Sequence, residues 1–182
     1  MQASDSAGRQ RNEGIKTQEK YKRKLIMVRL LKLEDYSAWI EIAKTVEPLF
    51  GPMVASQEFQ KGIKHCIENG NSYGIEHNDG ILAGIIAIDR VKNEILWLAV
   101  NEKYRGNKYG DKLVKKSIEE LEKNGDIFVQ TFAKSVPAGK NAIILYEKNG
   151  FIELQNAGKN PANIETIIMV NRLVRQSKNA SR

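Results

Sequence analysis

The chain has 182 residues, 41% hydrophobic and 28% charged, a balance that suits one domain with a single sizeable core. Its net charge of +7 belongs to the ends: residues 1–24 carry seven Lys/Arg against three Asp/Glu and residues 172–182 four against none, whereas 25–171 carry eighteen against nineteen. A basic groove for nucleic acid is therefore not indicated, the single Cys66 and two isolated histidines exclude an internal disulfide framework and argue against structural zinc, and no run approaches the ~18 apolar residues of a membrane span.

Residues 1–24, rich in Ser, Gln, Lys, Arg and Gly, read as a disordered extension, with Met27 a candidate natural start. Patterned sequence begins near Leu25, so one domain is expected over 25–174 with a basic tail over 175–182. Ile26–Leu31 reads as a first strand. Tyr36, Trp39, Ile40, Ala43 and Val46 then mark one face of a helix, and Phe59, Ile63, Cys66 and Ile67 mark one face of a second. Between them Glu47–Met53, with two prolines and a glycine, reads as a loop, either closing over a substrate or packed on its own core.

Tyr73–His77 and Ile81–Asp89 flank Asn78-Asp79-Gly80, a strong hairpin signal. A turn at Arg90–Asn93 leads to Glu94–Val100, and three consecutive antiparallel strands are the simplest outcome. Next comes Val100-Asn101-Glu102-Lys103-Tyr104-Arg105-Gly106-Asn107-Lys108-Tyr109-Gly110, a basic, glycine-containing turn between that strand and a helix marked by Leu113, Val114, Ser117, Ile118 and Leu121. Free backbone N–H groups and the positive end of a helix dipole converge in such a turn and stabilise an anion. The lysines 112, 115, 116 and 123 with Glu119, Glu120 and Glu122 look like a solvated helix face.

Ile127–Phe132 reads as another strand, Ala142–Asn149 as a helix capped by Asn141 and ended at Gly150, and Phe151–Leu154 and Thr166–Leu173 as strands paired across the connection Gln155–Glu165. No internal repeat divides the chain. His65, His77 and Cys66 read as structural, and Trp39 and Trp97 as core residues.

The turn resembles the pyrophosphate loop of the GNAT superfamily of N-acetyltransferases, which reads Arg or Gln, two residues, Gly, one residue, Gly or Ala. Arg105 and Gly110 match, and Lys108 takes the inner glycine slot. Ala142-Ile143-Ile144-Leu145-Tyr146-Glu147-Lys148-Asn149-Gly150-Phe151 resembles the Ala-x-x-Leu-Tyr-Glu-Lys-x-Gly-Phe block that follows it in that superfamily, although the Asn usual three residues before the Ala is here Gly139. The resemblance covers roughly 26–173, and it implies an α/β (α+β) fold: one central, mixed, mostly antiparallel twisted sheet of about seven strands flanked by about four helices.

It also implies direct transfer of an acetyl group from acetyl-CoA to an amine; no metal is expected, the lone cysteine fits a reducing cytoplasm, and the sequence does not choose between monomer and homodimer. Glu94, eleven residues before Arg105, is the candidate base, and in an unbroken strand it shares a face with Leu96, Leu98 and Val100. Tyr146 is the candidate acid on the thiolate side. Leu98, Val100, Arg105, Gly106, Asn107, Lys108, Gly110 and Asp111 are the candidate acetyl-CoA contacts, and backbone N–H groups near Leu98–Val100 the candidate oxyanion donors. An acceptor pocket is expected from Pro48–Met53 and the connection after Leu154, with no acceptor specified. A non-catalytic acyl-CoA-binding or regulatory module would explain the loop equally well, whereas a nucleic-acid-binding protein would explain only the tails.

Overall fold

Apolar side chains on both faces of consecutive strands need cover on both sides, and the chain supplies it with two pairs of helices. The computed structural model describes residues 26–172; the expectations for the tails, for Leu25 and for Leu173 lie outside them. The strands are β1 (Val28–Leu30), β2 (Ser72–Glu76), β3 (Leu82–Asp89), β4 (Glu94–Val100), β5 (Ile127–Phe132), β6 (Phe151–Lys159) and β7 (Glu165–Asn171), and the α-helices are α1 (Tyr36–Phe50), α2 (Gln57–Glu68), α3 (Tyr109–Leu121) and α4 (Lys140–Lys148). They form one seven-stranded sheet in the order β1-β2-β3-β4-β5-β7-β6. All neighbours are antiparallel except β4 and β5.

On one face, Trp39, Ile42, Ala43 and Val46 of α1 and Ile63 and Ile67 of α2 pack with Leu82, Ile85 and Ala99. On the other, Leu113, Val114 and Leu121 of α3 and Tyr146 of α4 pack with Ile86, Ile88, Ile95, Ile127 and Met169. Ser56 caps α2 by accepting from the Phe59 amide at 3.4 Å, and Trp39, fully buried, donates its indole N–H to Ser72 Oγ at 3.2 Å. Gly150 ends α4 at φ 85°, the left-handed conformation expected of it.

Four local expectations are corrected. First, α1 runs through Pro48 to Phe50; proline is tolerated because it stands in the last turn, and it removes one N–H without ending the helix. Second, β6 continues to Lys159, so Gln155–Glu165 is mostly hairpin and only Asn160–Ile164 is connection. Third, α4 begins at Lys140 after a short 3₁₀ turn over Pro137–Gly139, so Asn141 is inside the helix and not its cap. Fourth, β4 is not unbroken: Ala87 pairs with Trp97 and Ile88 with Ile95, and Leu96 is left out of the ladder as a bulge. The bulge reverses the facing of everything before it, so Glu94 falls on the α1/α2 side with Trp97 and Ala99, opposite Ile95, Leu98 and Val100.

Candidate active site

The central fact of the site is where two strands stop pairing. β4 and β5 are joined only through Glu94 with Phe128 and Ile95 with Val129. Beyond Ile95 the β4 edge has no partner on the β5 side, and a cavity of about 680 Å³ occupies the gap. It is lined by β4 from Ile95 to Val100, by β5 from Val129 to Phe132, by the last turns of α1, by the loop before α3 and by α4. An unpaired strand edge inside a cavity presents backbone donors and acceptors to an extended ligand.

One end of the cavity is the loop before α3. Asn101 accepts from the Lys103 amide at 3.0 Å and starts a 3₁₀ turn over Glu102–Tyr104, after which Gly106 (φ 82°) and Lys108 (φ 60°) are both left-handed. Lys108 thus holds the backbone shape its glycine slot requires, at the strain cost of a side chain in that region. No side chain caps α3, so its first amides at Tyr109, Gly110 and Asp111 face the cavity without side-chain acceptors. Arg105 is exposed, its Nε 3.4 Å from the Val100 carbonyl and its Nη1 3.9 Å from Glu102. Two buried tyrosines bracket the loop. Tyr104 donates to Asp79 at 2.9 Å, Tyr109 is hydrogen bonded to His77 Nδ1 at 2.6 Å, and the His77 ring lies 4.8 Å from that of Tyr104. The β2–β3 turn therefore anchors both ends of the loop.

Further along the cavity, Tyr146 is 4% exposed, and burial pushes its phenol well above the ordinary range. Its hydroxyl has no hydrogen-bond partner among the described residues. Glu94 is half-buried at the start of β4, one residue short of the cavity wall, and burial pushes its carboxyl up, with Asp89 adding to the rise and Lys92 opposing it.

A sequence model of the acetyltransferase (GNAT) domain matches residues 68–153, the span that holds β2 to β4, the loop, α3, β5 and α4. Residues 68–153, just under half of the chain, thus resemble a GNAT acetyltransferase domain. Among solved structures it is similar to the PaiA N-acetyltransferase of Thermoplasma acidophilum in complex with coenzyme A, at 20% identity and TM-score 0.65, covering 81% of this chain and 99% of that one. It is also similar to the ribosomal-protein-S18-alanine N-acetyltransferase of Escherichia coli, at 22% identity and TM-score 0.61, covering 87% and 100%. The structure of yncA from Salmonella typhimurium with acetyl-CoA matches at 14% identity and TM-score 0.64, covering 86% and 99%. A search of curated protein sequences gives no match.

Within this GNAT fold, Leu98, Val100, Arg105, Gly106, Lys108, Gly110 and Asp111 all line the cavity with Tyr146. Asn107 does not, because its amide turns back to the carbonyls of Tyr104 and Arg105 at 2.9 and 3.4 Å. Asp111, besides lining the cavity, braces it. It bonds Lys115 at 3.0 Å, Lys148 at 3.1 Å and Asn149 at 3.1 Å, tying the first turn of α3 to the end of α4. Burial works to raise its carboxyl, but the bonds from Lys115, Lys148 and Asn149 outweigh it and bring it down to about 2. A depressed folded pKa stabilises the fold above the unfolded carboxylate range, near 4, and that contribution fades as pH falls toward 2. Asp111→Asn is expected to cost on the order of 1 kcal/mol at pH 7, kept small by the exposure of both lysines, and nothing near pH 2; urea unfolding at the two pH values checks this.

Trp97 packs against the core as expected and also joins the cavity wall, with Phe50 and Phe132. Phe50, Gln130, Phe132, Ala138 and Lys148 were not foreseen there. Their common signal is position: each lies in an element bordering the gap where β4 and β5 part, which no residue pattern encodes.

Proposed function

We propose that the protein is an acetyl-CoA-dependent N-acetyltransferase that moves the acetyl group directly to a primary amine. One observation carries this reading: a single cavity joins an uncapped helix N-terminus flanked by Arg105 and Lys108, an unpaired β4 edge, and the unpartnered Tyr146 hydroxyl. These groups suit the three parts of the cosubstrate in order. The amides of Tyr109 and Gly110 with Arg105 suit a diphosphate, the open edge of β4 at Leu98 and Val100 suits the amide-bearing pantetheine arm, and the hydroxyl suits sulfur.

Acetyl-CoA supplies an activated thioester. An N–C bond forms, the C–S bond breaks, and one proton passes in net from the amine to the thiol. Glu94 takes the amine's proton through water, since it stands just outside the cavity wall, and its raised pKa makes it a better base than an ordinary carboxylate. Tyr146 hydrogen bonds the departing sulfur; burial keeps the phenol protonated at neutral pH and so able to donate. Backbone N–H groups on the β4 edge offset the charge that develops on the carbonyl oxygen.

The test is calorimetric titration of the full chain with acetyl-CoA. Micromolar binding is expected, weakened about tenfold by Arg105→Ala, the worth of one charge-assisted contact. Absence of binding would sink the reading. Binding with no thiol released in the presence of any amine would leave a non-catalytic acyl-CoA-binding module. Lys108→Gly is expected to keep or strengthen that binding and to relieve about 1 kcal/mol of left-handed strain, seen as a higher unfolding midpoint. A large loss of affinity would instead show that the ammonium contacts phosphate.

A further inference from the structure

The charged side chains that line the cavity are Arg105, Lys108, Asp111 and Lys148, from the loop before α3 and from the helices it joins. The other end is built from Val46, Leu49 and Phe50 of α1, Leu96 and Trp97 of β4, and Phe132 of β5. Three of these form a continuous aromatic wall, with Phe50 centred 4.7 Å from Trp97 and 5.2 Å from Phe132. The polar lining residues of β5, Gln130 and Thr131, are uncharged.

This wall is held in place. Asn160 Nδ2 donates to the Leu49 carbonyl at 2.8 Å, which fastens the last turn of α1 to the β6–β7 turn. Glu47, the carboxylate nearest in α1, is turned to the backbone amides of Met53 and Val54 at 2.8 and 2.9 Å. Gly51, at φ 95°, lies so close to Pro161 that a Cβ there would stand 2.8 Å from the proline's own. The two segments expected to border an acceptor do meet, but only Leu49 and Phe50 of the first line the cavity, and the β6–β7 turn braces them without lining it.

We propose that the acceptor is a primary amine carried on a single uncharged, apolar body of about aromatic-ring size, received between Phe50, Trp97 and Phe132. The position of its reacting nitrogen rests on the transfer reading above. The shape and chemistry of the wall do not. Asp111 is the one carboxylate that lines the cavity, and it is already bonded by two lysines at the far end. One ammonium gains ~0.5–2 kcal/mol over an aromatic face, so a lone amine is accommodated until it loses its proton. Glu94, just outside the wall on the Trp97 side, serves the reacting nitrogen alone; a second or third cation on a polyamine or aminoglycoside would be desolvated against the same wall with no counter-charge of its own, which costs far more. An apolar body instead gains by removing its surface from water.

The experiment is calorimetric titration of the full chain, preloaded with coenzyme A, with 2-phenylethylamine, spermidine and kanamycin. The amine with the aromatic body is expected to bind at least tenfold more tightly than the other two. Phe50→Ala should weaken it about tenfold while coenzyme A affinity is kept, which shows that the variant is folded. Phe50→Glu, which places a carboxylate in the wall, should shift preference toward spermidine. Equal or tighter binding of spermidine or kanamycin, no binding of 2-phenylethylamine, or an affinity unmoved by either substitution overturns the proposal. Thiol release with acetyl-CoA is measured separately: selective binding of 2-phenylethylamine without release removes the transferase reading and leaves the pocket's preference standing.

Discussion

Replacing Glu94 by Gln is expected to lower the rate of acetyl transfer about 10²- to 10⁴-fold at neutral pH, the range for losing general-base help, with acetyl-CoA affinity unchanged within about twofold. The amide keeps the side chain's shape and loses only its capacity to take a proton. Because burial raises the Glu94 carboxyl, the base form fills at a higher pH than an exposed carboxylate's would. The wild-type rate should therefore climb with pH through that displaced value, and in Glu94→Gln the same limb should be flat. A profile of kcat/KM against pH for both proteins decides it. An unmoved profile, or undiminished turnover, takes Glu94 out of the mechanism.

The bulge at Leu96 bears directly on that experiment. Had β4 been regular, Glu94 would face α3 and α4 with Leu98; the bulge sends it to the side of Trp97, where the aromatic end of the cavity lies. No sequence signal marks this. Ile95 through Val100 is one uninterrupted apolar run, and a run without alternation carries no parity to read. The same limit explains Trp97, which is half core and half cavity wall.

Elsewhere the residues spoke clearly. β5 falls on Ile127–Phe132 as its β-branched and aromatic content implies, the Asn78-Asp79-Gly80 turn closes a hairpin, and the loop and the Leu-Tyr-Glu-Lys block meet across one cavity. Pro48 misled because a proline in a helix's last turn looks in sequence like one that ends a helix. The second half of β6 was missed for another reason. It is the edge strand, almost wholly exposed from Ile152 onward, so Gln155–Lys159 has no apolar period.

Gly139 supplies the other large expected effect. Its φ of −84° is open to any residue, so conformational freedom does not explain the glycine. Space does. An added Cβ would stand 2.3 Å from Phe132 Cβ, closer than real Cβ atoms approach, and a tight 3.0 Å from its Cγ. Gly139→Ala is therefore expected to destabilise the fold by about 1–3 kcal/mol, or to lower Tm by roughly 3–10 °C. Gly139→Asn, the residue usual at this slot in the resemblance, should cost more, because a buried amide also needs partners. The obstruction is the Cβ of residue 132, so trimming that side chain in Gly139→Ala/Phe132→Ala should not rescue stability beyond what the single changes add to. Relief in the double variant, or an unchanged Tm in Gly139→Ala, would mean that the turn at Pro137–Gly139 shifts at little cost. Since Phe132, Ala138 and Asn141 all line the cavity, a turn displaced from β5 should also raise KM for the acceptor more than it lowers kcat, a split that separates a reshaped wall from a lost proton carrier.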